Sequence, residues 1–392
     1  MAAPLFILAG EPSGDRLAAR VMAGVTAARG QRQWIGVGGP AMQEEGLQSA
    51  FPMEELTVFG FGAAVRAYPH LSRRMDSLVD LIIAEKPAAV LSVDVKAFSV
   101  RLAERLRRRL AGSGNIPPII HTVAPTVWAW GGWRANRFAT AFDAMMCLFP
   151  FEPDYFMPLG LDARFISHPE AFNKTYDIIA EENGAKRRGD EPAHITVLPG
   201  SRRSEISHLL VPMLGALNIL RDDFPGLTAT LPTLPHLQRL IEQGVQASGL
   251  DKRCVKVTCE KDALFGSLAG SDAVIAASGT VTLQTALYGM PGVTCYRAGR
   301  ISAFIGRRLV DMDKVILPNA LSDSPVYPFL FQEEVTQQGL ADSIRPILAS
   351  PQSRTHARTI ARTHALALRH MLRGAADSFE ANVAAVISDW LD

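Results

Sequence analysis

The stretch HITVLPGSRRSE, residues 194–205, passes from an apolar run into a glycine turn and then into a polar segment of helical spacing. A strand ending at Pro199, a glycine that lets backbone approach closely, and Ser201 as a helix cap make one strand–loop–helix unit. Downstream the unit recurs. Strand-like runs LTATLP (227–232), CVKVT (254–258), AVIAA (273–277) and GVTCY (292–296) alternate with helical segments beginning near Arg203, Pro235, Asp262, Val281 and Ile301. Upstream, PLFILA (4–9), QWIGV (33–37), AAVLSV (88–93), PIIHTV (118–123), AMMCLF (144–149) and ARFI (163–166) alternate with segments such as DRLAARVMAGVTAA. Strand, crossover helix and strand in series predict parallel sheets with right-handed connections. The fold class is therefore α/β, with two doubly wound domains over 1–172 and 194–334. A polar linker is expected at 173–193, and 335–392 form a helical segment that packs back on the first domain or on a partner subunit. Two such domains leave a cleft at the carboxyl ends of their strands, where such sheets place ligands.

Composition narrows the function. The 392 residues carry 40 Lys+Arg against 39 Asp+Glu, a net charge of +1, so a dedicated nucleic-acid binder is not expected. With 48% apolar residues the chain can build packed cores and is not disordered. Four cysteines, Cys147, Cys254, Cys259 and Cys295, are too few and too unevenly spaced for a disulfide framework and suit a reducing compartment. The opening MAAPLFILAGEPSGD lacks a basic n-region and reads as a first strand, and no stretch approaches about 18 uninterrupted apolar residues.

Chemistry is expected in the strand-to-helix loops. In VLPGSRRSE (197–205), backbone N–H groups and the Arg202 guanidinium would converge on an anion such as a diphosphate, or simply make a capped helix with a solvated arginine. AASGTVTLQTALYGMP (276–291) is a second loop of this kind, with Ser278, Gly279 and Thr280 opening a helix that ends at Gly289. GEPSGD (10–15) puts Glu11, Ser13 and Asp15 at the edge of the first domain, where Ser13 or Asp15 can cap the next helix. Asp94 ends AAVLSV, a position suited to a general base and equally to a helix cap. Trp128, Trp130 and Trp133 crowd HTVAPTVWAWGGWR (121–134), as core or as a wall facing a sugar or acyl chain. His168 before Pro169 is expected near the domain junction. Neither histidines nor cysteines have metal-ligand spacing, so no metal site is expected. Basic residues interleaved with apolar ones, Arg73 and Arg74 in one segment and Arg107 and Arg108 in another, read as a solvated face or a contact for an anionic bilayer.

Taken together, GEPSGD, GVGGPAMQEEGL (36–47) with FPMEEL (51–56), VAPTVWAW (123–130), LFPFE (148–152), His168–Pro169, LPGSRRSE, ASGTVTL (277–283) and LPNAL (317–321) resemble bacterial lipid-A-disaccharide synthases, in order and spacing, from residue 5 to about 334. The resemblance implies a GT-B glycosyltransferase of two Rossmann-like domains that uses no cofactor or metal. It implies transfer of 2,3-diacylglucosamine from UDP-2,3-diacylglucosamine to the 6-hydroxyl of 2,3-diacylglucosamine 1-phosphate. It implies Asp94 as general base, with Glu11, Ser13, Asp15 and Trp128 on the acceptor side. Arg202 and Ser278 to Thr280 would hold the diphosphate, and Ser201, Glu205, Gln284, Asn319, Gln332 and His168 are also expected at substrate. The expected setting is the inner face of the cytoplasmic membrane, without nucleic acid, and with a homodimer through carboxyl-terminal elements. The chain departs from the family at Ala97, Gln284 and Phe329, where the family usually has acidic residues, and at Gly131 and Ser167. These departures motivate an alternative, a paralogue that binds a nucleotide sugar or acylated lipid without turnover. A sibling epimerase would need a second set of cleft carboxylates, which is not evident.

Overall fold

A computed structural model describes residues 3–56, 61–112, 114–128, 131–176, 191–251, 253–260, 262–297 and 315–391, with the backbone alone for 61–68. The helix expected near Ile301, Trp130 and most of the expected linker lie outside the described residues. The chain divides into two compact units, residues 1–172 with 371–392 and residues 173–370.

The first unit holds a seven-stranded parallel sheet of order β3-β2-β1-β4-β5-β6-β7. Its strands are β1 (Leu5–Leu8), β2 (Trp34–Val37), β3 (Leu47–Ser49), β4 (Val90–Val93), β5 (Ile119–Thr122), β6 (Ala144–Cys147) and β7 (Asp162–Phe165). The crossovers include α1 (Pro12–Arg29), α2 (Pro40–Glu44), α3 (Phe61–Glu85), α4 (Lys96–Arg109) and α5 (Arg134–Ala141). Helices on both faces explain why β1, β2, β4, β5 and β6 are buried along their whole length and read as continuous apolar runs. Gly36 is needed where β2 meets β1: at φ +139 a Cβ would stand 1.9 Å from the Ile7 carbonyl oxygen.

The second unit has six parallel strands in the order β10-β9-β8-β11-β12-β13. These are β8 (His194–Leu198), β9 (Thr228–Pro232), β10 (Val255–Thr258), β11 (Ala273–Ala277), β12 (Gly292–Tyr296) and β13 (Phe329–Phe331). Its helices are α6 (Arg203–Asp223), α7 (Pro235–Ala247), α8 (Ala263–Ala269), α9 (Thr280–Tyr288), α10 (Leu317–Leu321), α11 (Gln337–Leu348) and most of α12 (Pro351–Arg373). The last helix, α13 (Phe379–Ile387), belongs to the first unit and lies on α1. The two helices approach closely at Gly24, where a Cβ would meet Val383 Cβ at 2.7 Å, and Arg20 Nε pairs with Glu380 at 2.5 Å.

Strand order reverses between β1 and β4 in the first sheet and between β8 and β11 in the second. In doubly wound sheets the ligand crevice opens at this switch point. The four loops that follow these strands carry GEPSGD, Asp94, PGSRRSE and SGT.

Candidate active site

In the second unit the loops after β8, β9, β10 and β11 enclose a cavity of about 710 Å³. Ser201, Arg202 and Glu205 line it from the first loop, and Ser278, Gly279, Thr280 and Gln284 from the last. The expected partnership of these two loops is thus present. The sequence reading missed the contributions of β9 and β10, namely Thr233, Glu260, Asp262 and Phe265. Thr233 and Glu260 lie just past the carboxyl ends of β9 and β10, where the strand pattern held a signal, while Asp262 is the N-cap residue of α8 and Phe265 lies within it.

The amides at the start of α6 differ from expectation. Ser201 lies one position outside the cap, which is Arg202 in extended conformation. The N–H groups of Ser201 and Arg202 both donate to Glu205 Oε2, at 2.9 and 3.2 Å. A carboxylate therefore sits where an anionic ligand was expected. The Arg202 side chain is 74% exposed, with Nη1 3.4 Å from Glu205 Oε1. At α9 the cap is Gly279, which has no side chain to satisfy the first-turn amides; Ser278 N–H donates to the Cys295 carbonyl (2.8 Å) and Thr282 N–H to the Gly279 carbonyl (3.0 Å), and the amides of Thr280 and Val281 between them are suited to an anion.

Asn319 and Gln332 do not join this cavity. Asn319 Oδ1 accepts from Val326 N–H and Tyr327 N–H (2.9 and 3.1 Å), and its Nδ2 donates to the Tyr327 carbonyl (3.0 Å), so the side chain organises its own loop. It lines a different cavity of about 960 Å³, with Tyr327, Phe329 and Phe331. Gln332 is buried at φ +54, its carbonyl accepting from Arg297 Nε at 3.2 Å.

In the first unit Asp94 leaves β4 at φ +54 and Val95 follows at φ +41. A β-branched residue in the left-handed region is a strained outlier, and such strain persists where the surroundings impose it, often at a working site. The turn is held by Asp94 N–H donating to the Thr122 carbonyl (3.0 Å) and Ser99 Oγ donating to the Asp94 carbonyl (3.1 Å). The Asp94 carboxylate accepts from Lys96 Nζ at 2.7 Å, and both side chains are about one-third exposed. Val95, not Asp94, caps α4, which sets aside the cap alternative. The GEPSGD loop packs on this turn: a Cβ at Gly10 would lie 2.9 Å from Val95 Cγ2, and one at Gly14 would lie 3.9 Å from Asp94 Cβ.

Glu11 and Ser13 are exposed there, with Glu11 at the cap position of α1 and Ser13 inside the helix, so Ser13 does not cap. Asp15 is a correction. It is buried, and its carboxylate accepts from the N–H groups of Gly39, Ala41 and Met42 at 2.8, 3.0 and 3.2 Å. It caps α2 and holds GVGGP, with no carboxylate edge left at the surface.

Next to Asp94 a groove of about 500 Å³ has an apolar floor of Leu56, Leu71, Met75, Val95 and Phe98 and a rim of Lys96, Arg101, Arg105, Arg108 and Arg137, with Glu11 and Glu104. Of these, Arg108 was expected on a basic helix face, and the packing of α3, α4 and α5 makes a groove of it with Arg101, Arg105 and Arg137. Arg74 and Arg107 are held in ion pairs with Glu55 (2.6 Å) and Asp143 (2.8 Å).

The two described tryptophans of this run, Trp128 and Trp133, differ in exposure and do not share a wall. Trp128 is buried edge-on against Phe149 and Phe151, and Trp133 is 73% exposed. His168 stacks on Phe149 with centroids 5.4 Å apart, and Nδ1 accepts from Glu170 N–H. Burial depresses its pKa to about 4, so the ring is neutral near pH 7. His121, beneath the site on β5, is held at about 3, chiefly by burial and then by the charge of Lys96. Glu152 accepts from Leu148 and Phe149 N–H, yet burial outweighs these donors and raises its pKa to about 8. All four cysteines are unpaired. Among the described residues no three His, Cys, Asp or Glu side chains cluster as metal ligands, and no helix is long and apolar enough to cross a membrane.

Solved structures of similar fold include Acinetobacter baumannii MurG (TM-score 0.55, 15% identity, 95% of this chain and 100% of that one) and the Staphylococcus aureus MnaA–UDP structure (TM-score 0.56, 12% identity, 92% and 91%). Two parallel sheets of this topology, each opening at its switch point, define the GT-B fold. The model of the lipid-A-disaccharide synthetase family matches residues 5–383. Relatives include lipid-A-disaccharide synthases of Rhodospirillum centenum (38% identity, 89% of this chain and 86% of that protein) and Nitrobacter winogradskyi (35%, 89% and 87%). The chain belongs to the lipid-A-disaccharide synthase family. It is an enzyme of lipid A disaccharide synthesis, and the alternative of binding without turnover is not favoured.

Proposed function

We propose that the enzyme transfers 2,3-diacylglucosamine from UDP-2,3-diacylglucosamine to the 6-hydroxyl of 2,3-diacylglucosamine 1-phosphate, inverting the anomeric carbon and releasing UDP. The observation that carries this reading is the cavity in which the loops after β8 and β11 meet, since it offers Arg202 and the amides of α9 to a diphosphate. Negative charge grows on UDP as the glycosidic bond forms, so donors fixed at that point favour the transition state over the ground state. Asp94, held rigidly by its strained turn, takes the proton from the attacking hydroxyl. The groove beside it suits the acceptor, with apolar side chains for acyl chains and guanidinium groups for the phosphate. No metal or cofactor enters this reading.

Arg73 and Arg108, both exposed, are assigned to the anionic inner face of the cytoplasmic membrane. A homodimer through carboxyl-terminal elements is supported by Ile360, Leu366 and Met371, exposed on α12. Purified protein incubated with both acylated sugars should yield a disaccharide 1-phosphate and UDP. Product no greater than that of a folded Asp94→Ala variant would remove the reading.

A further inference from the structure

The amide pair at the start of α6 already holds an anion. Glu205 Oε2 accepts from Ser201 and Arg202 N–H, and its side chain is only 17% exposed. The loop is shaped around this carboxylate: Gly200 sits at φ +117, and a Cβ there would stand 2.5 Å from Oε2 and 2.6 Å from Glu205 Cβ. Glu205 lines the same cavity as Ser278, Gly279 and Thr280. A nucleotide diphosphate entering that cavity therefore meets the Glu205 carboxylate beside the Arg202 guanidinium on one side and the amides of Thr280 and Val281 on the other.

The penalty scales with the charge of the ligand. In a UDP-sugar each phosphate carries one negative charge. In free UDP the terminal phosphate gains a second ionisation with a pKa near 6 and is close to doubly charged above neutral pH. A carboxylate at this spot disfavours the product more than the donor. We propose that Glu205 is a specificity-determining residue that weakens the hold on UDP relative to the UDP-sugar and so promotes product release. The proposal rests on the reading that the cavity takes the UDP-sugar.

Glu205→Gln keeps an oxygen to accept from the two amides and removes the charge. Calorimetry with the full chain should show UDP bound roughly tenfold more tightly by Glu205→Gln than by wild type, with uridine affinity unchanged. The gain should shrink as salt is raised. In turnover, product inhibition by UDP should strengthen more than the KM for donor falls. Glu205→Ala should move UDP affinity in the same direction. A purely structural cap predicts weaker UDP binding in both variants, and that result, or unchanged affinity, overturns the proposal, as does failure of both variants to fold. Wild type that binds neither UDP nor uridine would instead overturn the donor-site reading itself, and the proposal with it.

Discussion

Asp94 was legible because a carboxylate directly after an apolar run stands at the carboxyl end of a parallel strand. The two successive left-handed residues that aim it, and its contact with Lys96, were not, since backbone strain leaves no mark in composition. Asp15 was misread for a related reason: its partners Gly39, Ala41 and Met42 lie in another crossover, and nothing local says which helix a buried carboxylate caps. Asp94→Ala should lower kcat by about 10³-fold with unchanged folding, the scale expected for loss of a general base. Asp15→Ala should instead destabilise the fold by about 2 kcal/mol in chemical denaturation, having removed charge-assisted bonds to buried amides. His121 supplies a test by pH. Its pKa is lowered from 6.5 to about 3, so the unfolded chain binds a proton that the folded ring refuses. Stability from this source is complete above 6.5 and is lost as pH falls toward 3, by about 1.4 kcal/mol per unit. His121→Leu should flatten the acid side of the stability profile by that slope relative to wild type. The difference isolates it from Glu152, whose raised pKa acts in the opposite sense.

At the scale of elements, strands of four or five residues buried on both faces were readable as apolar runs. The three-residue strands β3 and β13 were too short to register, and β13 pairs with β12 across the undescribed stretch 298–314. Pairing between distant helices was equally hidden. That α13 lies on α1 follows from Gly24 and Val383 meeting, a fact of three-dimensional fit. Gly24→Leu should therefore cost about 3 kcal/mol through overpacking, measurable by urea denaturation, whereas the same change at the open Gly266 should cost far less.

For the molecule as a whole, the alternation of strands and helices in the sequence declares two α/β units. Which loops meet depended on strand order, which periodicity does not encode. The basic groove of the first unit is of that kind, assembled by α3, α4 and α5 from residues far apart in sequence. Because Arg74 and Arg107 are tied to Glu55 and Asp143, charge reversal at Arg73 and Arg108 should loosen cosedimentation with anionic vesicles at low salt. Unchanged vesicle binding would count against the membrane assignment. The central claim, that the loops after β8 and β11 grip the leaving UDP, is tested most directly by a crystal structure with UDP bound. The account predicts the diphosphate within hydrogen-bonding distance of the amides of Thr280 and Val281 and of the Arg202 guanidinium. A nucleotide lodged instead beside Asn319 and Phe329, or in the groove next to Asp94, would contradict it.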